Sequence, residues 1–314
     1  MSIRRFDLQG HRGARGLKPE NTLPSFEAAL DVGVTTIETD VLLTADGVPV
    51  LRHDHALSEL RCRPLPGTAG PDPARRPILR SLTLAQLRGY RADLNPEPHR
   101  FATQDARVTP LAEAFATERG IDPYTPPTLD ELFAFAAAYA GEAGAVAGKI
   151  AWPRARARQV RFDLELKRVS FRPHYLDDGY DGSAPSLLEQ RVVDAVRRAG
   201  VVERTSVRSF DHRSPMHLKR LESGLRTAIL VAGTTPADPV LLVHAAAADC
   251  YCPDVEFLDR FQVRQLHDAG IAVVPWTVNE PEDWERLLDW GVDGITTDYP
   301  DRLAEVLRGR GLNF

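Results

Sequence analysis

The chain contains few cysteines and no long hydrophobic run. Its three cysteines, Cys62, Cys250 and Cys252, are an odd number without a disulfide framework, and they lack the spacing of a zinc knuckle or a Cys-x-x-Cys redox motif. We therefore expect free thiols, with Cys250 and Cys252 packed as strand residues, and a reducing compartment. No run of about 18 apolar residues could span a bilayer, and polar Gln9 comes too early for a secretory signal. The sequence thus predicts a cytoplasmic protein without a membrane span.

The chain also lacks a strong excess of charge of one sign. Its 39 basic and 44 acidic side chains give a net charge of -5, which offers no general attraction to nucleic acid or to an anionic membrane. Any anionic ligand must therefore be held by local groups. With 314 residues, 43% of them hydrophobic, the chain can bury a large core, and we expect one decorated domain over residues 1–314.

Short apolar segments of strand type alternate with helical periodicity along most of the chain. This alternation is typical of βα units and a largely parallel sheet, and the length suits a TIM (β/α)8 barrel, which takes about 250 residues. The predicted strands are 6–10, 35–41, 48–52, 160–167, 205–210, 227–231, 249–252, 272–277 and 294–297. A barrel needs eight, so either 48–52 is a hairpin arm or 249–252 is an irregular connector. We expect the second.

The predicted helices lie between these strands. The first is capped by Asn21 or Thr22 and ends at Gly33, and the later ones are 129–139, 186–199, 215–222, 257–269, 282–290 and 300–307. Two stretches break the alternation. Residues 56–127, rich in proline and arginine, are predicted to be an insertion after the third strand segment, with one helix at 84–90. Residues 141–158, rich in glycine, alanine and arginine, are predicted to be a mobile surface loop.

Charged side chains occupy alternate positions of two buried strands. Glu38 and Asp40 leave the same face of one strand, and Glu165 and Lys167 leave one face of another. Buried charges in such positions are costly unless they meet a metal or one another. Three carboxylates without histidine or thiolate ligands favour a hard cation, so we predict that Glu38, Asp40 and Glu165 bind one divalent ion, Ca2+ or Mg2+. The alternative is an inward salt-bridge network with Lys167 and Arg12.

Two histidines are predicted to lie near these carboxylates. His11 ends the first strand, at the edge of a barrel where the chemistry takes place. The turn signal at 44–47 predicts a hairpin that returns His53 to a position opposite Asp40. Two histidines beside a bound phosphate can serve as general base and general acid, because their pKa lies near neutrality.

Two cations complete the predicted site. A phosphodiester develops negative charge on its non-bridging oxygens during displacement at phosphorus, and a nearby cation stabilises that charge. Arg12 and Lys167 are the candidates for this role. The residues therefore predict metal-assisted phosphodiester chemistry.

Nine short motifs follow one another in order along the chain. They are Gly10-His11-Arg12-Gly13, Pro19-Glu20-Asn21-Thr22, Glu38-x-Asp40-Val41, Thr44-x-Asp46-Gly47, His53-Asp54, Glu165-Leu166-Lys167, Ser209-Phe210, Trp276-Thr277-Val278-Asn279 and Asp293-Gly294-Ile295-Thr296-Thr297-Asp298. Each is weak alone. The ordered set is specific, and it resembles the glycerophosphodiester phosphodiesterase family over nearly the whole chain.

The resemblance implies a metal-dependent TIM-barrel enzyme that releases glycerol 3-phosphate and an alcohol from deacylated phospholipids. The roles it implies are acid and base for His11 and His53, metal binding for Glu38, Asp40 and Glu165, phosphate binding for Arg12 and Lys167, and lining of the substrate pocket for Trp276. The nucleophile would be water or the 2-hydroxyl of the glycerol. The preferred head group and the oligomeric state stay open.

Competing interpretations concern both single residues and the function. Trp276 equally fits a core aromatic at a strand end, Phe210 is expected to pack in the core, and Asn21 is not chosen as a site residue because it also suits a helix cap. The chain could instead be a related barrel that acts on lysophospholipids or sphingomyelin, as a lysophospholipase D or sphingomyelinase D does. It could also be a barrel that binds phosphodiesters without catalysis.

Overall fold

Eight parallel strands and the helices that connect them enclose the core of the protein. The computed structural model describes residues 5–68 and 77–314. Its strands are β1 (Asp7–Gly10), β2 (Thr36–Leu43), β3 (Pro49–Leu51), β4 (Arg63–Pro64), β5 (Tyr90–Arg91), β6 (Arg161–Leu166), β7 (Thr205–Ser209), β8 (Arg226–Val231), β9 (Cys250–Pro253), β10 (Ala272–Val273) and β11 (Gly294–Thr297). The strand order is β10, β9, β8, β7, β6, β2, β1, β11. Backbone hydrogen bonds from Asp293 N to Val273 O and from Thr296 N to Pro275 O join the two ends. The predicted TIM barrel is confirmed.

The helices follow the strands and cover the outside of the barrel. They are α1 (Leu23–Val32), α2 (Leu84–Leu87), α3 (Pro110–Arg119), α4 (Leu129–Ala140), α5 (Glu142–Val146), α6 (Ala151–Ala157), α7 (Leu187–Ala199), α8 (Arg213–Leu221), α9 (Pro239–Ala245), α10 (Arg260–Asp268), α11 (Pro281–Trp290) and α12 (Pro300–Gly309). Short 3₁₀ turns lie at Leu79–Ser81, Pro173–Tyr175, Val202–Arg204 and Val255–Phe257. Within residues 5–68 and 77–314, no helix is long and apolar enough to cross a membrane.

Local capping residues define where α1 begins and ends. Thr22 is the cap: its side chain accepts a hydrogen bond from Ser25 N at 3.3 Å. Gly33 ends the helix with a φ of 79°, which side chains disfavour. Because Thr22 does the capping, Asn21 is available for contacts inside the barrel.

The surplus strand is β3, so our expectation that 249–252 is an irregular connector was wrong. β9 is a regular barrel strand, with Tyr251 opposite Ile229 of β8 and Val273 of β10. β3 instead pairs antiparallel with β2. The connection from Thr44 to Val48 is far too short for the crossover that a parallel pairing requires. β3 can therefore only return beside β2 as a hairpin arm.

Several helices lie where the sequence predicted none. Residues 141–158, predicted to be a mobile loop, contain α5 and α6, because the alanines there favour helix more strongly than the glycines oppose it. α3 and α9 were also missed, although Gly120 ends the first and Asp238 caps the second. The predicted helix at 84–90 is the single turn of α2.

Residues 100–105 of the stretch 56–127 contact the end of the barrel where β1 and β11 finish. Residues 69–76 of this predicted insertion lie outside the described residues. Lys18 Nζ contacts Asp105 Oδ1 at 2.6 Å, and Tyr299 donates a hydrogen bond to Arg100 O at 2.7 Å. These contacts place part of the stretch beside the site described below.

The inside of the barrel is polar on one side and apolar on the other. The polar side is built by buried residues of β1, β2, β6, β7 and β11: Gln9, Glu38, Asp163, Arg208 and Thr296. On β8 to β10 and just beyond, Ala228, Leu230, Cys252 and Val274 form a separate apolar cluster. The main core lies between the strands and the helices. The predicted strand placement of Cys250 and Cys252 is confirmed.

A buried ion network fixes the chain just after β6. Arg168 Nη2 lies 2.6 Å from Glu189 Oε2 and 2.8 Å from Asp178 Oδ2, and Ser186 and Ser214 also bond to Glu189. All the members are largely shielded from water, so each charge depends on its partner.

Glu189→Gln should therefore destabilise the fold by about 1.5–3 kcal/mol, because the buried Arg168 guanidinium loses one of its two charged hydrogen-bond partners and keeps only Asp178. Urea unfolding would measure this loss. As a control, Arg198→Ala breaks an exposed pair with Asp130 and should cost less than about 1 kcal/mol. Equal effects of the two changes would contradict the importance of the buried network.

Candidate active site and metal centre

The three predicted metal ligands come together inside the barrel. Parallel pairing of β2 with β6 sets Asp40 beside Glu165 and Glu38 beside Asp163. Ligand oxygens of Glu38, Asp40 and Glu165 all lie within 4.8 Å of one another, and the three side chains are buried.

Cations surround this carboxylate cluster. Lys167 Nζ lies 2.6 Å from Glu165 Oε1 and 3.4 Å from Asp40 Oδ1. Arg12 Nε lies 3.1 Å from Asp40 Oδ2, and its Nη1 lies 3.0 Å from Glu20 Oε2. The salt-bridge network considered as an alternative is therefore present around the cluster, alongside the geometry of a metal site.

The charges of the cluster are not fully balanced. Burial raises the pKa of Glu38 to about 8, and the charges of Asp40 and Glu165 add to this against the opposing charge of Arg208. Burial also disfavours ionised Asp40, but Arg12 and Lys167 outweigh it and hold the pKa of Asp40 well below its usual range. Of the three carboxylates, Glu38 is thus the one whose ionised form an additional positive charge would stabilise most.

The donor set fits a hard divalent cation. Among the described residues, Glu38 Oε1 and Asp40 Oδ1 are buried and accept no hydrogen bond, although charged nitrogens lie nearby. Buried oxygens left in this state are unfavourable unless a cation meets them. Three carboxylates with room for water and substrate oxygens are ligands suited to Ca2+ or Mg2+.

His11 lies at the end of β1 beside the cluster. Its Nδ1 is 2.6 Å from Asp298 Oδ1, and its Nε2 is 3.8 Å from Glu38 Oε2. Burial lowers the pKa of His11 to about 4, with Arg12 adding to this and Asp298 opposing it. Asp298 is itself held by Asn279, whose Nδ2 donates to Oδ2 at 2.8 Å. This arrangement gives a neutral imidazole that donates from Nδ1 and keeps a lone pair on Nε2.

His53 comes two residues after β3. It lies one residue beyond the position opposite Asp40 that the sequence predicted for it. Leu51 pairs with Val41, and Arg52 N donates to Asp40 O, so residue 52 rather than 53 lies opposite Asp40. The shift arises because three residues, rather than two, form the loop between Thr44 and Val48. The His53 side chain is 34% exposed, and its Nδ1 contacts Asp54 Oδ1 at 2.9 Å.

A cavity of about 330 Å3 opens beside His53. Its lining includes Glu165 and Lys167 from β6 and the segment after it, together with Tyr175 and Phe210. Phe210 is 42% exposed, so the prediction that it packs in the core was wrong. It directly follows β7 at the rim, where its ring and that of Trp276 pack edge to face at a centroid distance of 5.5 Å.

Trp276 lies at the same end of the barrel, half-buried. Its Nε1 donates to Cys252 O at 2.9 Å. This hydrogen bond fixes the indole against β9 and leaves the ring in contact with Phe210. Its predicted role in substrate binding stays a prediction.

Sequence reasoning missed several residues that contact the site. Asp298 follows β11 at the carboxyl edge, the same rule that identified His11. Arg208 occupies an inward position of β7, the same pattern that identified Glu165. Asn21, which was considered but not chosen, donates to Asp40 Oδ2 at 2.8 Å and accepts from Thr39 at 2.7 Å.

Ca2+ or Mg2+ should raise the thermal midpoint of the wild-type protein, since a ligand bound only to the folded state stabilises it by about 2.7 kcal/mol at 100 times its Kd. Glu165→Gln should abolish most of this gain by removing one charged ligand. Asp163→Asn is the matched control, because Asp163 faces inward on the same strand but lies outside the cluster, and the gain should persist. Thermal scans with and without the ion make the measurement, and an unchanged gain in Glu165→Gln would contradict the assignment.

Known proteins are similar to this chain in sequence and in fold. A glycerophosphodiester phosphodiesterase of Caldanaerobacter subterraneus is 25% identical over 301 residues, covering 96% of this chain and 97% of that protein. A crystal structure of a candidate glycerophosphoryl diester phosphodiesterase from Silicibacter pomeroyi is 30% identical with a TM-score of 0.74, covering 98% of this chain and 94% of that one. An Oleispira antarctica phosphodiesterase in complex with the product sn-glycerol-3-phosphate shares the fold, with a TM-score of 0.66, 20% identity and 96% coverage of each chain.

A family model extends this similarity to particular residues. The model described as the glycerophosphoryl diester phosphodiesterase family matches residues 11–141 and 180–302, well over half of the chain. The matched ranges contain both histidines and two of the three clustered carboxylates. Glu165 and Lys167 lie between the ranges, and the pairing of β6 with β2 brings them to the site. The chain belongs to the glycerophosphoryl diester phosphodiesterase family.

Proposed function

We propose that this glycerophosphodiester phosphodiesterase cleaves its substrate by acid–base catalysis between His11 and His53, with a divalent cation held by Glu38, Asp40 and Glu165. The observation that supports this most is the placement of the two histidines next to the buried carboxylate cluster. His11 Nε2 lies 3.8 Å from Glu38 Oε2, and His53 lines the same cavity as Glu165. Sequence similarity to named phosphodiesterases and the product bound in the Oleispira structure support the choice of substrate.

His11 is suited to act as the general base. Its imidazole is neutral near pH 7, and Asp298 fixes the ring by accepting from Nδ1. Nε2 can then take a proton from the nucleophile. Asp298 stabilises the positive charge that the ring gains in this step.

His53 is suited to act as the general acid. It borders the open cavity, and Asp54 holds its Nδ1, so Nε2 remains for proton transfer to the departing alcohol. Asp54 is in turn held by Arg61 at 3.0 Å. The cavity gives the alcohol a route to solvent.

The cationic side chains hold the substrate phosphate in our proposal. Lys167 borders the cavity, and its charged Nζ contacts Glu165 and Asp40. Arg12 is oriented by Glu20 and Asp40, so it contributes a fixed positive charge at the inner wall. When bound, a divalent cation would add charge that stabilises the non-bridging oxygens.

A substrate assay tests the activity and its dependence on metal. Glycerophosphocholine should yield glycerol 3-phosphate and choline in equal amounts, detected by phosphorus NMR and a choline assay. EDTA should abolish turnover, and added Ca2+ or Mg2+ should restore it. Faster turnover of lysophosphatidylcholine would favour a lysophospholipase D instead, and diester binding without product would favour a binding protein.

His11→Ala and His53→Ala should each lower kcat by about 100-fold or more, because each removes a proton-transfer group. The stabilisation by Ca2+ or Mg2+ should remain, since neither side chain is a proposed ligand. His244→Ala, at an exposed position of α9, is the control and should keep full activity. Near-normal kcat in either active-site variant would refute the acid–base assignment.

A further inference from the structure

Arg208 is a charged side chain buried in the middle of the barrel. It lies on β7 and is only 2% exposed. Its Nη2 is 2.9 Å from Glu38 Oε1, its Nη1 is 3.2 Å from Asp163 Oδ2, and Nη1 also reaches Thr296 Oγ1 at 3.4 Å. The guanidinium therefore joins one carboxylate of the cluster to one outside it.

Such a residue is unusual for the inside of a TIM barrel, which is filled mostly by branched apolar side chains. Arginine stays charged under all ordinary conditions and is costly to bury without partners. Pairing places Arg208 directly beside Glu165 on the neighbouring strand, yet its guanidinium contacts Glu38, one strand further away. Its two ion pairs across the interior are thus with Glu38 and Asp163.

Glu38 is held at both of its oxygens. Oε2 accepts a hydrogen bond from Arg12 N at 2.9 Å, and Oε1 faces Arg208. The contact with Arg208 is an ion pair, and Oε1 accepts no hydrogen bond from any described residue. Without the guanidinium, the Glu38 carboxylate would be free to rotate about its remaining contact.

We propose that Arg208 is a positioning residue of the metal centre, which holds the Glu38 carboxylate turned toward Asp40 and Glu165. This inference rests on the proposed function, namely that these three carboxylates bind a divalent cation. Groups that hold a metal ligand in place typically contribute 10- to 100-fold to metal affinity. Asp163 and Thr296 in turn hold Arg208.

The test compares metal affinity in folded variants by isothermal titration with Ca2+ and Mg2+. Arg208→Gln is the direct variant, but it leaves Asp163 buried without its cation and could fail to fold. Asp163→Asn and the double variant Asp163→Asn with Arg208→Gln form a matched pair that removes this problem. Circular dichroism and the thermal midpoint without metal establish that each variant is folded.

We expect Asp163→Asn to bind the ion within about threefold of wild type, because Arg208 still holds Glu38. The double variant should bind about 10-fold or more weakly than Asp163→Asn. A purely structural role of Arg208 would lower the thermal midpoint without this difference in affinity. Equal or tighter binding by the double variant would overturn the inference and leave the proposed function intact, whereas absence of binding by wild type would overturn both.

Discussion

The register between β2 and β6 is the constraint on which the rest of the site depends. It sets Asp40 beside Glu165 and Glu38 beside Asp163, and all four side chains are buried. Carboxylates this close together raise one another's pKa and are unfavourable unless cations offset them. The cations come from three different parts of the chain: Arg12, Lys167 and Arg208. These three side chains offset the buried negative charge.

The division of the barrel interior has the same origin. Strands β1, β2, β6, β7 and β11 contribute polar side chains to the interior, and all of them except β11 either carry the carboxylate cluster or pair with a strand that does. Strands β8 to β10 contribute a small apolar cluster instead. Trp276 and Phe210 lie at the open end of the barrel, where their rings pack edge to face. The site therefore has a charged wall and an aromatic edge beside it.

Much of the site could be predicted because its residues follow simple local rules. Alternation along a strand identified Glu38, Asp40 and Glu165, and the end of a strand identified His11. The same rules apply to Arg208 and Asp298, but an arginine or aspartate in such a position has no distinctive motif of its own. The position of His53 was off by one residue, because the pairing register depends on the loop length of the hairpin.

The sequence by itself determined the alternation of strands and helices, the ends of helices such as α1 at Gly33, and the side chains that face inward. These features depend on residues within a few positions of one another, where periodicity and capping act. Only the tertiary structure decided that β9 belongs to the barrel and β3 does not. It also decided that 141–158 contains the helices α5 and α6 instead of the predicted loop, and which charged side chains form ion pairs. His11 and Asp298 are 287 positions apart along the chain, yet their side chains lie 2.6 Å apart. Such partners are chosen by the closure of the barrel, which no local pattern encodes.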